Sequence, residues 1–328
     1  MNKDINIVIY SDPHLSARNY GAHRNYPLES LKCLSSVADV VERYNADYCI
    51  CTGDFTYGRF NTLEYRLSVE KVLQRINSIT NNNHYMIKGN HDSASYGMTE
   101  YEYYVNKGVF KSSSNLDIGN CHITMVDYHK HLEVEPNISF NPGSVNFILA
   151  HDYYKFSSTR MPDYGKPIVL DQFDRWFGAD YLICGHVHKQ HIFKGSIVKE
   201  IDGLQRGHEV IVNYTGSLSR PSYIEGGMDL VGTVGLITIH KDNGEITYSI
   251  VDVELLPLEE SFNIEQKEVE RQEKIEKENR VDISDIIERL STHERNIGDP
   301  EHIILSLEGV DERYKAKAIE LLKNGLAY

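Results

Sequence analysis

The chain has 328 residues, 41% of them hydrophobic and 25% charged, with a formal net charge of −14. That length supports one large domain with an appendage, and the composition is that of a globular chain, not a disordered or fibrous one. No apolar run approaches the roughly 20 residues of a membrane span, and the polar start Met1-Asn2-Lys3-Asp4 runs straight into a strand-like stretch, so neither a membrane anchor nor a signal peptide is expected.

Short β-branched runs predict strands near 4–10, 47–52, 84–88, 121–127, 145–150, 180–184, 209–214, 233–240 and 245–253. Helical spacing places Leu31, Leu34, Ala38 and Val41 on one face of 28–45, and Leu63, Leu67, Val72, Ile76 and Ile79 on one face of 62–80. Strands and helices alternate early and strands dominate later, which fits a layered α/β domain. Cys33, Cys49, Cys51, Cys121 and Cys184 are scattered, mostly in strand-like runs. They read as inert core residues of a reducing, cytoplasmic compartment.

Composition shifts near Pro257, so 1–257 is expected to be a catalytic domain and 258–328 a charged linker with a helical module. Charges of both signs interleave from Glu265 to Arg280. Beyond them Ile283, Ile286, Ile287 and Leu290 make an apolar helical stripe, and a last helix is expected over 311–324, ending before Gly325.

The chemistry lies in five ordered strings: Asp12-Pro13-His14, Gly53-Asp54, Gly89-Asn90-His91-Asp92, His151 and Gly185-His186-Val187-His188. Each ends an apolar run, so each reads as a loop leaving the carboxyl end of a strand, and such loops converge on one crevice. Seven metal-ligating side chains (Asp12, His14, Asp54, Asn90, His151, His186 and His188) then meet in one place, too many for one ion and suited to two. Nitrogen and oxygen donors of this kind take manganese, iron, zinc or cobalt.

These strings resemble the calcineurin-like metallophosphoesterase superfamily, over roughly residues 4 to 255. The resemblance implies two mixed β-sheets packed face to face and flanked by helices, and two divalent ions, with manganese the family habit among nucleases. It implies one ion on Asp12, His14, Asp54 and His188, and a second on Asp54, Asn90, His151 and His186, with Asp54 as bridge. Two divalent cations about 4 Å apart neutralise a phosphodiester and acidify a shared water. His91 is implied as the catalytic imidazole facing the substrate, and Asp92 as the group that orients it.

Arg24-Asn25-Tyr26-Pro27-Leu28-Glu29 and the run Val212 to Pro221, which contains Gly216-Ser217 and Arg220, look like the nuclease subunit of SbcCD-type DNA-repair complexes, particularly phage-encoded relatives. That likeness implies Ser217 and Arg220 as phosphate contacts, DNA as substrate, and docking of 258–328 on a coiled-coil, SMC-like ATPase. It also makes a homodimer through the helices after the first loops an expectation, though no distinctive interface stands out. The alternatives are a stand-alone phosphodiesterase or phosphatase acting on a small or cyclic nucleotide, and a silent scaffold, disfavoured because no ligand is missing.

Charge argues against DNA, since binders carry a basic footprint. From Leu258 onward 18 acids face 11 bases, a net of −7, which leaves −7 for the rest of the chain. An ATPase partner is expected to supply most phosphate contacts. His129-Lys130-His131 reads as surface. His23 and Arg24 read equally as substrate-facing or solvated, and Tyr101, Tyr103, Tyr104, Tyr153 and Tyr154 as base-stacking or packing residues.

Overall fold

A computed structural model describes residues 3–19, 23–57, 61–92, 98–128, 138–162, 165–220 and 232–263, together with Lys315 and Ile319. By its internal contacts the chain divides into Met1–Asn263 and Ile264–Tyr328. The expected helices around Ile283 to Leu290 and over 311–324 lie outside the described residues, apart from those two positions, as does His129-Lys130-His131.

The first unit runs β1 (Ile5–Tyr10), α1 (Tyr26–Arg43), β2 (Tyr48–Cys51), α2 (Leu63–Ile79), β3 (His84–Met86), α3 (Glu100–Asn106), β4 (Asn115–Ile118), β5 (Cys121–Val126), β6 (Val145–His151), β7 (Tyr154–Lys155), β8 (Ile168–Val169), β9 (Tyr181–Gly185), β10 (His191–Ile201), β11 (Leu204–Tyr214), β12 (Gly232–Ile239), β13 (Ile246–Val253) and a one-turn α4 (Leu258–Ser261). Asn25 caps α1 by accepting from the Leu28 amide, and Thr62 caps α2 from the Tyr65 amide.

Two mixed sheets form the frame. The five-stranded one has the order β13-β12-β1-β2-β3, and the six-stranded one β10-β11-β9-β6-β5-β4. Strands β1, β2 and β3 are parallel, as are β5, β6, β9 and β11, while β12, β13, β4 and β10 are antiparallel to their neighbours. Strand periodicity of two explains the layering. Ile7 and Ile9 of β1 face inward and meet Phe147, Leu149 and Ile183 of the other sheet. Val8 and Tyr10 face outward, under Leu34, Val37 and Val41 of α1 and Leu73 and Ile76 of α2. The second sheet's outer face packs Ile148, Ala150 and Leu182 beneath Phe156, Leu170 and Trp176.

Helix α4 packs with the first unit rather than opening the appendage. Arg24 donates through its amide to the Ser261 carbonyl at 2.8 Å and through Nε to the Phe262 carbonyl at 3.0 Å. Among the described residues no helix is long and apolar enough to cross a membrane.

Candidate metal centre

All seven ligand candidates stand at or just beyond the carboxyl ends of parallel strands. Asp12 and His14 follow β1, Asp54 follows β2, Asn90 follows β3, His151 ends β6, and His186 and His188 follow β9. The two sheets contribute jointly, and backbone bonds tie them at this rim. The amide of His186 donates to Asp12 Oδ2 at 3.1 Å, and His151 Nδ1 bonds the Thr52 carbonyl at 2.7 Å. That second contact places a proton on Nδ1 and turns Nε2 toward the site, the usual arrangement behind a metal-bound imidazole.

The backbone is bent to suit. Asp12 (φ 51°), His14 (φ 45°), Asp54 (φ 48°) and His186 (φ 82°) all take left-handed conformations, which bulky L-residues adopt reluctantly and which gather at functional sites. Gly89 is demanded by space. A Cβ there would overlap the amide nitrogen and the carboxylate of Asp54.

The donor atoms fall into two overlapping groups. His14 Nε2 and His188 Nε2 lie 3.0 Å apart, and Asp12 Oδ1 sits 3.6 and 3.8 Å from them. Asp54 Oδ2 is 3.9 Å from His14 Nε2 and 3.3 Å from His151 Nε2, so it faces both groups. Asn90 Oδ1 completes the second group, 3.0 Å from both His151 Nε2 and His186 Nδ1. Asp12, His14, Asp54 and His151 are buried and Asn90, His186 and His188 half-buried, and a convergence of two carboxylates, an amide oxygen and four imidazoles fits divalent cations far better than it fits mutual contact. Burial pushes the Asp54 carboxyl upward, but His151, His14 and His91 overcome it and hold the group ionised, well below the usual range. His151 shows the reciprocal effect. Burial alone would lower it, yet the charges of Asp54 and Asp12 raise its imidazole to about 10.

His91 lies against the ligand groups, close enough to His14 and Asp54 to form a further cluster of donor atoms with them, but it is exposed. Its side chain is 39% exposed, with Nε2 4.0 Å from Asp54 Oδ2, while its amide donates to Asp54 Oδ1 at 2.7 Å. Its ring stacks on Tyr57, with centroids 5.0 Å apart at 28°, and meets the edge of His14 at 5.2 Å. Tyr57 was not legible beforehand, because nothing in Phe55-Thr56-Tyr57 marks which side chain returns to the site.

Three expectations need correction. Asp92 does not orient the His91 imidazole. It is fully buried and accepts from the amides of Gly89 (2.9 Å), Phe55 (3.1 Å) and Thr56 (3.4 Å), so it splints the loops after β2 and β3 together. Burial, with the nearby charge of Asp54, raises its carboxyl to about 7. Ser217 and Arg220 do not face a substrate. Ser217 Oγ lies 2.7 Å from the carbonyls of both Asp12 and Ser219, its single proton shared between them. Arg220 is buried, with Nε on Glu29 at 2.7 Å and Nη2 on the Leu256 carbonyl (2.7 Å) and Ser261 Oγ (2.6 Å). His23 is likewise turned inward, bonding the Arg220 carbonyl at 2.7 Å. Tyr101, Tyr104, Tyr153 and Tyr154 are buried packing residues, and all five cysteines are buried and free. Burial raises the thiols, Cys121 to about 12, which leaves them unreactive.

Solved structures similar to the chain include two of low identity. One is YfcE, a phosphoesterase from E. coli, with 15% identity, a TM-score of 0.34, and coverage of 76% of this chain and 100% of that one. The other is a dimetal phosphatase from Danio rerio, with 9% identity, a TM-score of 0.41, and coverage of 77% and 96%. No curated protein matches the chain. The profile of the calcineurin-like phosphoesterases matches residues 5–190, more than half the chain and all the strands that carry the seven ligand candidates. The chain belongs to the calcineurin-like phosphoesterase family, whose members use a dinuclear metal site.

Proposed function

We propose that this protein is a metal-dependent phosphodiesterase that cuts DNA, working as the nuclease subunit beside a coiled-coil, SMC-like ATPase that docks on residues 258–328. The observation that carries the hydrolytic part is the convergence of seven donors into two groups sharing Asp54, with His91 exposed beside them. Two divalent ions held there, manganese by preference, supply Lewis acidity toward phosphoryl oxygens and lower the pKa of a coordinated water.

The chain's own residues do the rest. Asp12 and Asp54 are the only anions among the seven donors, and Asn90 ligates without adding charge, so the loaded site stays electropositive toward a phosphodiester. His91, held by the Tyr57 stack and by its own backbone bond to Asp54, is the imidazole placed to give a proton to the departing oxygen. Asp92 keeps Asn90 and His91 in place by fixing the backbone of their turn.

DNA as substrate is supported by the SbcCD-like strings of the sequence and by the polar tether leading to an apolar stripe. A second reading, a small diester or cyclic nucleotide, is favoured by the inward turn of Arg220 and Ser217, which removes two phosphate contacts from the substrate side. Full-length protein incubated with manganese and end-labelled duplex DNA, cyclic nucleotides or bis-p-nitrophenyl phosphate separates the readings. DNA degradation that increases when the ATPase is co-expressed supports the first, and turnover of cyclic nucleotides with inert DNA replaces it by the second. His91→Ala should lower turnover by about 10²–10⁴-fold while manganese stoichiometry is kept. A protein that binds two manganese ions and leaves every diester intact is not a phosphodiesterase.

A further inference from the structure

The first ligand loop, Ser11 to His14, carries two of the four left-handed ligand residues, a conformation that costs about 1–3 kcal/mol per residue unless its surroundings hold it. Its carbonyls are gripped one by one. The Leu218 amide donates to the Ser11 carbonyl at 3.2 Å, Ser217 Oγ to the Asp12 carbonyl at 2.7 Å, and the Tyr26 hydroxyl to the His14 carbonyl at 2.9 Å. Tyr26 also meets Ser219 Oγ at 3.0 Å.

The same turn reaches the other sheet, because the Ser217 amide donates to the His188 carbonyl at 2.9 Å. Gly216, at φ 81°, makes the turn, and the Arg220 ion pair with Glu29 anchors its far end. These bonds land on the backbones of Asp12, His14 and His188, which are together one of the donor groups of the centre. None of them lands on Asn90, His151 or His186.

We propose that Tyr26 and Ser217 are positioning residues for one metal position only, that of Asp12, His14 and His188, and that they set its affinity separately from the other. The proposal rests on the two-metal reading of the site. Partners that orient ligands from behind change metal affinity by about 10–100-fold. Calorimetric titration of the full chain with manganese is expected to give two sites in the wild type. In Tyr26→Phe one dissociation constant should rise about tenfold or more, with the other unchanged and kcat restored by excess manganese. Ser217→Ala should do the same, and it carries the test if the first variant does not fold. Two unchanged constants, or two that weaken together, overturn the proposal. A wild type that binds fewer than two manganese ions overturns the metal reading itself, a distinguishable failure.

Discussion

The ligand rim and the Gly216–Arg220 turn look alike as sequence, each a short string of glycine and polar residues behind a β-strand. In the folded chain they work in opposite ways. At the rim the polar atoms of Asp54, Asn90, His151 and His186 converge on one another across 3.0 to 3.3 Å, which is an arrangement completed by cations. In the turn, Ser217 Oγ and the Nε and Nη2 of Arg220 each find separate protein partners. A polar string is therefore a site or a brace according to whether its atoms point at a shared centre or at separate partners. Residue type alone does not distinguish the two.

Arg220→Met tests the brace and should give the largest effect. It leaves the fully buried Glu29 carboxylate without its partner, a loss of about 3–5 kcal/mol when one member of a buried pair is removed. Urea unfolding should show that loss, while KM for bis-p-nitrophenyl phosphate at saturating manganese stays the same. A variant of wild-type stability with a raised KM would return Arg220 to the substrate. At the rim the matching change is Gly89→Ala. The added methyl must displace Asp54, the carboxylate that faces both donor groups. A shift of that kind costs about 10²-fold in turnover, and manganese titration should show both positions weakened, unlike the selective loss expected of Tyr26→Phe. Retained turnover with intact metal binding would mean that Asp54 tolerates relocation and that the rim is looser than its contacts imply.

The same contrast explains what the sequence disclosed. The seven donors were legible because chemistry restricts metal ligands to a few residue types, and strand ends place those types at one edge. Asp92 was misread because a carboxylate following His91 can rotate toward the imidazole or toward the amides of Gly89, Phe55 and Thr56, and only packing selects between them. Tyr57 gave no signal, since its stacking on His91 depends on how far the loop after β2 curls. Other misses left traces. The hairpin of β10 and β11 turns at Asp202 (φ 54°) and Gly203 (φ 75°), an Asp-Gly pair that marks a two-residue turn, although polar residues along β10 hid its strand character. Helix α3 opens with a capping box between Thr99 and Glu102, readable from their spacing.

Histidines extend the comparison to charge and give the effect expected to be smallest near neutral pH. At the rim, carboxylates hold His151 up at about 10. His84, in β3, is fully buried with Nε2 on the Tyr10 hydroxyl at 3.0 Å and the Phe110 ring 4.5 Å away, and burial lowers it to about 3. The unfolded chain binds a proton at this residue near its ordinary 6.5, whereas the folded chain refuses it until about 3. Stability is therefore complete above about pH 6.5 and declines as pH falls toward 3, by at most about 1.4 kcal/mol per pH unit from this group. His84→Gln keeps a side-chain partner for Tyr10 but cannot titrate. Its urea midpoint should match or trail the wild type near neutral pH and fall less steeply between about pH 6 and 4. Parallel pH profiles for the two proteins would show that His84 accepts its proton in the folded state and that burial there is less complete than the packing of Tyr10 and Phe110 implies.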